Sequence, residues 1–543
     1  TRIALDRGLT SGIVCPMLPK ETSLAAGNRL HGFVVRSVTP LEDLRLRAVE
    51  LEHERTGARL LHLQADDPEN LFSVTFPTPP ADDTGLPHIM EHSVLCGSKT
   101  YPVKSPYFEM RRMSMATFIN AMTAPDFTLY PMASNVPADL MNLAAVCFDA
   151  VFHPLLETET FQTQAHHLEP VDAANPAGEW KHSGIVYNEM KGALSDPERL
   201  LYLLEQRRLV PDTTLARFSG GDPEAMPSLT YEDFLAFHRA HYHPSNAYFV
   251  LYGDIATERY AEFLEERLAT FDRAETPPAI PLHPRWNEPR QALGSYPVPE
   301  GEPTQGRALH LVSWLAGQAA DPAQQLRWEI LGQVVAADET APIRRALIEA
   351  GLATRLISAG AFEIGPETIF RVAARGGDES RAEEYEACVL DTLENVAREG
   401  IDPGDIASAL RRAAYSHLEI GPLHPLQMMR RAVSGWIHGA DPLAHLQMGR
   451  LLDDLRAEWE RDPDLFVRMI REGLLSNPHR LRATLAPEPG GAARARDRAR
   501  ERMAEIETGL DEAERARLAA EAERIRTEFA QPNPPEAIAL LPQ

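Results

Sequence analysis

His88, Glu91 and His92 spell H-x-x-E-H. On a helix, residues four apart share one face, with their Cβ atoms about 6 Å apart. Two imidazoles placed this way can hold one Zn²⁺ at ~2.0–2.1 Å. Glu91 stands one turn along from His88 and beside His92, where its carboxylate can reach a zinc-bound water. Zinc lowers the pKa of that water to about 7, and a carboxylate can then take its proton. The order inverts the better-known H-E-x-x-H. Catalytic zinc keeps three protein ligands and one open position, so a third ligand is needed. Glu189, in Asn188-Glu189-Met190-Lys191-Gly192, is the leading candidate, with Glu169 and Glu179 close behind on the residues alone.

These side chains need elements to hold them. Leu71–Phe76 alternates with period two, as a half-buried strand does. A Pro- and Asp-rich loop over 77–85 leads to a helix over 86–96, with Thr84 as its cap, Pro87 in its first turn and Gly97 at its end. Residues 117–123 and 127–133 read as a hairpin joined by Ala124-Pro125-Asp126. Helices follow over 137–152 and 157–167, from near Gly184, and over 197–209 and 231–241. A strand over 246–253 closes a first unit near residue 270. The stretch 271–305, rich in Pro, reads as a linker. A second unit, 306–490, opens as the first does, with a strand at Leu309–Leu315 and a helix from Asp321-Pro322. Such a repeat fits a diverged duplication or two unrelated α+β domains. Residues 491–531 are dominated by Ala, Arg and Glu and read as a helical hairpin, broken at Gly509 and recapped by Asp511. Residues 532–543 read as the start of a connection, because their apolar side chains have nothing evident to pack on.

Composition narrows the function. The 543 residues include 79 acidic and 54 basic side chains, a net charge of −25. That sign argues against nucleic-acid binding, which needs a basic footprint. No segment is long and apolar enough to span a membrane and no signal pattern is read, so the expected compartment is the cytoplasm. Cys15, Cys96, Cys147 and Cys388 form no C-x-x-C pair, which predicts free thiols and no disulfide framework.

The run Gly85 to Ser98, GLPHIMEHSVLCGS, resembles the pitrilysin (insulinase) superfamily of inverzincin metallopeptidases, in its presequence-protease and falcilysin branch. Tyr101–Pro106, Thr117–Thr123, Asp126 to Pro131, Asp149–Pro154 and Tyr242–Asn246 are similar as well. The Asn188–Gly192 motif falls at the matching place, with Glu189 97 residues after His92. The resemblance implies an α+β fold of two homologous domains, each an antiparallel sheet packed with helices, plus a C-terminal helical hairpin. It implies one zinc per chain on His88, His92 and Glu189, with Glu91 as general base. Asn120, Ala121, Met122 and Thr123 match an edge strand to which extended substrate adds by backbone pairing. Cys96 has no counterpart among the family's ligands. The second domain, with Gln324–Glu329 in place of the motif, would be a non-catalytic wall.

The implied activity is zinc-dependent endopeptidase action on short, unstructured peptides. The alternative is a non-catalytic peptide-binding or assembly subunit of the same fold. Complete members of the family are about twice this length. Their second half supplies an arginine and a tyrosine that hold the substrate carbonyl opposite the zinc. The expectation is therefore an N-terminal half whose partner is the absent C-terminal half.

Overall fold

The computed structural model of the chain describes residues 24–542. Period-two apolar segments build two large sheets. The first contains β1 (Arg29–Leu30), β2 (Phe33–Leu41), β3 (Leu46–His53), β4 (Arg59–Gln64), β5 (Asn70–Pro77), β6 (Ala116–Ile119), β7 (Met122–Thr123) and β8 (Phe127–Ser134). After a separate two-stranded piece, β9 (His167–Pro170) with β10 (Trp180–Ser183), it is completed by β11 (Tyr248–Gly253). Its order is β1-β2-β3-β4-β11-β5-β8-β6, with β7 also on β8. The second sheet is built of β12 (Arg290–Val298), β13 (Ala308–Gln318), β14 (Arg355–Ile364), β15 (Glu367–Gly377) and β16 (Arg480–Pro489). Its order is β12-β16-β13-β15-β14.

The two sheets share a topology. β4 runs parallel to β11, and then β11–β5, β5–β8 and β8–β6 are antiparallel. β12 runs parallel to β16, and then β16–β13, β13–β15 and β15–β14 are antiparallel. In chain order both five-strand cores read first, last, second, fourth, third. Two α+β units with one strand order fit a duplicated unit. Each sheet carries one parallel pair, so neither is purely antiparallel.

Each sheet has helices of its own unit on one face and a helix of the other unit on the opposite face. The helix Pro197–Leu209 leaves the first unit and buries Leu201 and Leu209 against Leu309, Leu311, Leu481 and Leu485 of the second sheet. There Glu205, fully buried, accepts from Arg371 Nε at 2.9 Å. In return the helix His424–Trp436 buries Met428, Met429 and Trp436 against Leu61, Leu63, Leu71 and Tyr252 of the first sheet. This exchange explains why the half-buried strand expected at 71–76 is instead buried on both faces. A parallel or doubly covered strand loses its exposed side.

Other expectations need correction. The linker over 271–305 is interrupted: Arg290–Val298 is β12, with Tyr296 and Val298 in the core, and Trp286 just before it is buried too. Pro297 sits at the outer edge of the sheet, where a missing N–H is tolerated. The tail over 532–543 does not lack a packing surface. Ala537 and Leu541 join the core of the first unit, and Asn533 Oδ1 accepts from the Lys104 backbone N–H at 2.9 Å. The hairpin itself spans Gly491–Gly509 and Glu512–Ala530, with the Asp511 side chain accepting from the Glu514 N–H. Cys96, Cys147 and Cys388 are free, and Cys15 lies outside the described residues. Among the described residues, no helix is long and apolar enough to cross a membrane.

Candidate metal centre

The motif helix runs over Leu86–Ser93 and is shorter than 86–96. Thr84 does not cap it. The Thr84 hydroxyl donates to Asp82, and Gly85 takes the N-cap position at φ +76. A side chain at Gly85 is excluded twice, by that dihedral and by contact. A Cβ would lie 2.4 Å from the Gly221 Cα. The loop carrying Gly220 and Gly221 is thereby pressed on the start of the helix. From it, the Gly220 carbonyl meets His88 Nδ1 at 3.1 Å. Residues Ile89, Met90 and Glu91 point inward, while His88 and His92 keep 12% and 26% of their side-chain surface.

Glu189 stands on the helix Ile185–Ala193, which packs against the motif helix. Its two carboxylate oxygens lie 3.7 Å from His88 Nε2 and 3.7 Å from His92 Nε2. The ligand atoms of these three residues all lie within 4.8 Å of one another. Ligand atoms around a tetrahedral ion with ~2.0–2.1 Å bonds are separated by ~3.3 Å, so the observed spacing needs only a small contraction. His88 already turns Nδ1 to a carbonyl, which leaves Nε2 for a metal. Burial lowers the His92 pKa and keeps that ring neutral, the form that ligates. The donor set and its geometry fit a single divalent ion. Glu169 is engaged elsewhere, 3.1 Å from Lys181 Nζ, and Glu179 is exposed in the β9–β10 connection. Among the described residues, this is the one group of three or more such side chains placed to share a metal.

Glu91 is 7% exposed and accepts from the Thr123 hydroxyl at 2.5 Å. Burial raises its pKa, and the Thr123 hydrogen bond opposes that rise. The hairpin expected at 117–133 forms, but its first arm breaks. Asn120 and Ala121 lie between β6 and β7, and the Asn120 N–H reaches the Pro131 carbonyl at 3.2 Å. Asn120 is exposed, while Ala121, Met122 and Thr123 are half-buried. An open cavity of about 1040 Å³ is lined by Asn120 and Ala121, by Glu91 and His92 and, from the far end of the chain, by Phe529 and Asn533. Cys96 stays out of the metal-facing group. Its thiol donates to the His92 carbonyl at 3.4 Å, and burial pushes it up to about 12.

The sequence reading missed Gly220 and Gln164. Gln164, on the helix Thr158–Gln164, is 6% exposed and lines the same cavity as His92. Neither carries a local signal, since each meets the motif only through the fold.

The peptidase M16 inactive domain matches residues 228–412, a stretch that begins near the end of the first unit and leaves out the H-x-x-E-H helix and Glu189. The chain is 36% identical over 465 residues to mitochondrial presequence protease of Mus musculus, covering 85% of this chain and 45% of the relative. It is 33% identical to presequence protease 1 of Arabidopsis thaliana, over 94% of this chain and 48% of the relative. Protein HypA of Clostridium perfringens is also 33% identical, over 89% and 50%. The chain spans about half the length of these curated relatives. Among solved structures, a protease from Helicobacter pylori superposes with a TM-score of 0.60 at 15% identity, over 80% of this chain and 98% of that one. Pitrilysin superposes with a TM-score of 0.55 at 17% identity, over 82% and 45%. The chain belongs to the M16, pitrilysin-like peptidase family, on its presequence-protease-like branch.

Proposed function

We propose that the chain is the zinc-binding half of a metallo-endopeptidase that cleaves short, unstructured peptides. The observation that carries this reading is the convergence of His88, His92 and Glu189 around one point, with the buried Glu91 beside it. Zinc, held by these three ligands, supplies a Lewis acid that polarises the scissile carbonyl and acidifies water. Glu91 takes the proton of the attacking water and returns it to the leaving amine. Its raised affinity for a proton suits both steps. The Thr123 hydroxyl keeps its carboxylate aimed. β6 and β7 lie on the open edge of the first sheet, where an extended peptide can pair with main-chain groups around Asn120–Thr123. Pairing of that kind tolerates many sequences.

The second unit is a structural wall. Its helix Pro322–Gly332, in the place of the motif helix, carries no histidine. The first domain, 1–270, would bear the chemistry. The matching half of the enzyme, absent from this chain, would close the cavity and hold the substrate carbonyl. Losing such carbonyl stabilisation costs ~10²–10³-fold in turnover. The test is to assay this chain at saturating zinc on one unstructured peptide, alone and with the second half supplied. Native protein with the second half should cleave, and Glu91→Gln should not. Turnover of the chain alone should fall short by the factor above. Equal turnover would contradict the two-half reading, and cleavage by Glu91→Gln would contradict its role as base.

A further inference from the structure

The Gly220 carbonyl that meets His88 Nδ1 at 3.1 Å sits in a segment with little stiffness of its own. Gly220 and Gly221 are adjacent, and glycine has the widest choice of backbone conformations. One residue ties the segment down at both ends. Asp83 Oδ1 accepts from the Phe218 N–H at 2.8 Å, and the Asp83 main-chain carbonyl accepts from the Asp222 N–H, also at 2.8 Å. Between these two ties the Gly221 N–H closes a turn on the Phe218 carbonyl at 3.1 Å. Arg207 Nη2 donates to Asp83 Oδ1 at 3.2 Å and lies 3.6 Å from Asp222 Oδ2, so it braces the same two residues. Asp83 itself stands two residues before Gly85, the N-cap of the motif helix, and five before His88.

The clamp fixes the carbonyl relative to the helix that carries the ring. A main-chain carbonyl can only accept, so in a neutral ring the contact puts the proton on Nδ1 and the lone pair on Nε2. Nε2 is the nitrogen 3.7 Å from Glu189. We infer that Asp83 is a positioning residue of the metal centre. By pinning residues 218–222 to the start of the motif helix, it holds the Gly220 carbonyl on His88 Nδ1 and keeps Nε2 aimed at the metal. The inference rests on the zinc reading of His88, His92 and Glu189. Asp83 touches neither metal nor substrate. It acts through the partner of a ligand, since a ligating histidine is oriented by the acceptor on its other nitrogen. The Asp83 side chain serves here as acceptor for a main-chain N–H. An amide oxygen can take that task and an apolar side chain cannot.

The experiment measures the zinc affinity of the purified chain by chelator competition, with thermal unfolding of the apo form beside it. Asp83→Leu should bind zinc roughly tenfold to a hundredfold more weakly. Asp83→Asn, which keeps an oxygen for the Phe218 N–H, should bind nearly as tightly as native. Gly221→Ala leaves Asp83 intact but sets a Cβ 2.9 Å from the Gly85 Cα, at φ +98, and should weaken zinc as Asp83→Leu does. Glu205→Leu, which strips Arg371 of its partner on the second sheet, should lower the melting temperature and leave zinc affinity native. Native zinc affinity in Asp83→Leu would overturn the assignment. If that variant does not fold, native affinity in Gly221→Ala would overturn it instead. So would equal losses in Asp83→Leu and Asp83→Asn, or a loss in Glu205→Leu as large as in Asp83→Leu, which would reduce the effect to general destabilisation. A native chain that binds no zinc would defeat the metal reading itself, an outcome distinct from all of these.

Discussion

Thr123 donates its hydroxyl to Glu91 at 2.5 Å, joining the edge strand of the first sheet to the carboxylate beside His88, His92 and Glu189. In the proposed mechanism, substrate pairing along that strand and proton transfer by Glu91 would share one fixed point. A hydrogen bond to a charged group is worth ~1.5–3 kcal/mol. Thr123→Val should lower kcat of the assembled enzyme about tenfold or more while zinc content stays stoichiometric. Thr123→Ser should restore most of the rate. Unchanged kcat in the valine variant would detach Thr123 from catalysis.

The ligand roles separate by substitution. His88→Ala and His92→Ala should each lose stoichiometric zinc, since two remaining ligands hold it poorly. Glu189→Gln should weaken zinc binding, whereas Glu179→Gln should not, because Glu179 is exposed and away from the cluster. Metal analysis after dialysis reads all four. A Glu189→Gln variant that retains native affinity would remove Glu189 from the ligand set.

Glu205 and Arg371 make the buried ion pair that seats the helix Pro197–Leu209 on the second sheet. Removing one partner of a buried pair typically costs ~3–5 kcal/mol, because the other charge is left uncompensated. Glu205→Leu should destabilise the chain by that order. The double variant Glu205→Leu with Arg371→Met should recover most of the loss. Denaturant unfolding of the three proteins checks this, and an additive double variant would contradict it.

The turn after β7 supplies a pH dependence. Asp126, 3% exposed and 3.4 Å from His438 Nε2, is pushed up to about 7 by burial and by the Glu363 carboxylate. His438 is lowered to about 4 by burial and so stays neutral above that pH. The unfolded carboxyl titrates at 3.8, so the folded form binds the extra proton between that value and about 7. Stability from this group is full below the unfolded value and is lost as pH rises to about 7. Asp126→Asn should therefore gain stability relative to native as pH rises from 4 to 7, by up to ~4 kcal/mol. Parallel melting curves would show instead that the carboxyl is charged in the fold.

Much of this arrangement is legible in the sequence because it is local. His88, Glu91 and His92 come together through one helical repeat, and the helices Pro137–Phe152, Pro197–Leu209 and Tyr231–His241 start and stop where their Pro, caps and apolar spacing place them. On the residues alone Glu189 leads Glu169 and Glu179 only narrowly and resemblance widens the gap, since the packing of two helices and not spacing brings it to the histidines. Arg290–Val298 hid among prolines, because an edge strand can carry Pro297 that an inner strand could not. The exchange of helices between sheets left no local trace. Leu201 and Met428 look like ordinary core residues, and only the fold shows that each belongs to the other unit's sheet. The same holds for Ala537 and Leu541, which return to the first core across most of the chain.

The most direct test of the account is the position of the metal. Crystals of the chain grown with zinc, measured on either side of the zinc absorption edge, should show one anomalous peak per chain. It should lie ~2.0–2.2 Å from His88 Nε2, His92 Nε2 and a Glu189 oxygen. Glu91 should lie close by without a bond to it. No peak at that point, a peak held by other side chains, or Glu189 turned away from a metal bound only by the histidines would contradict the account.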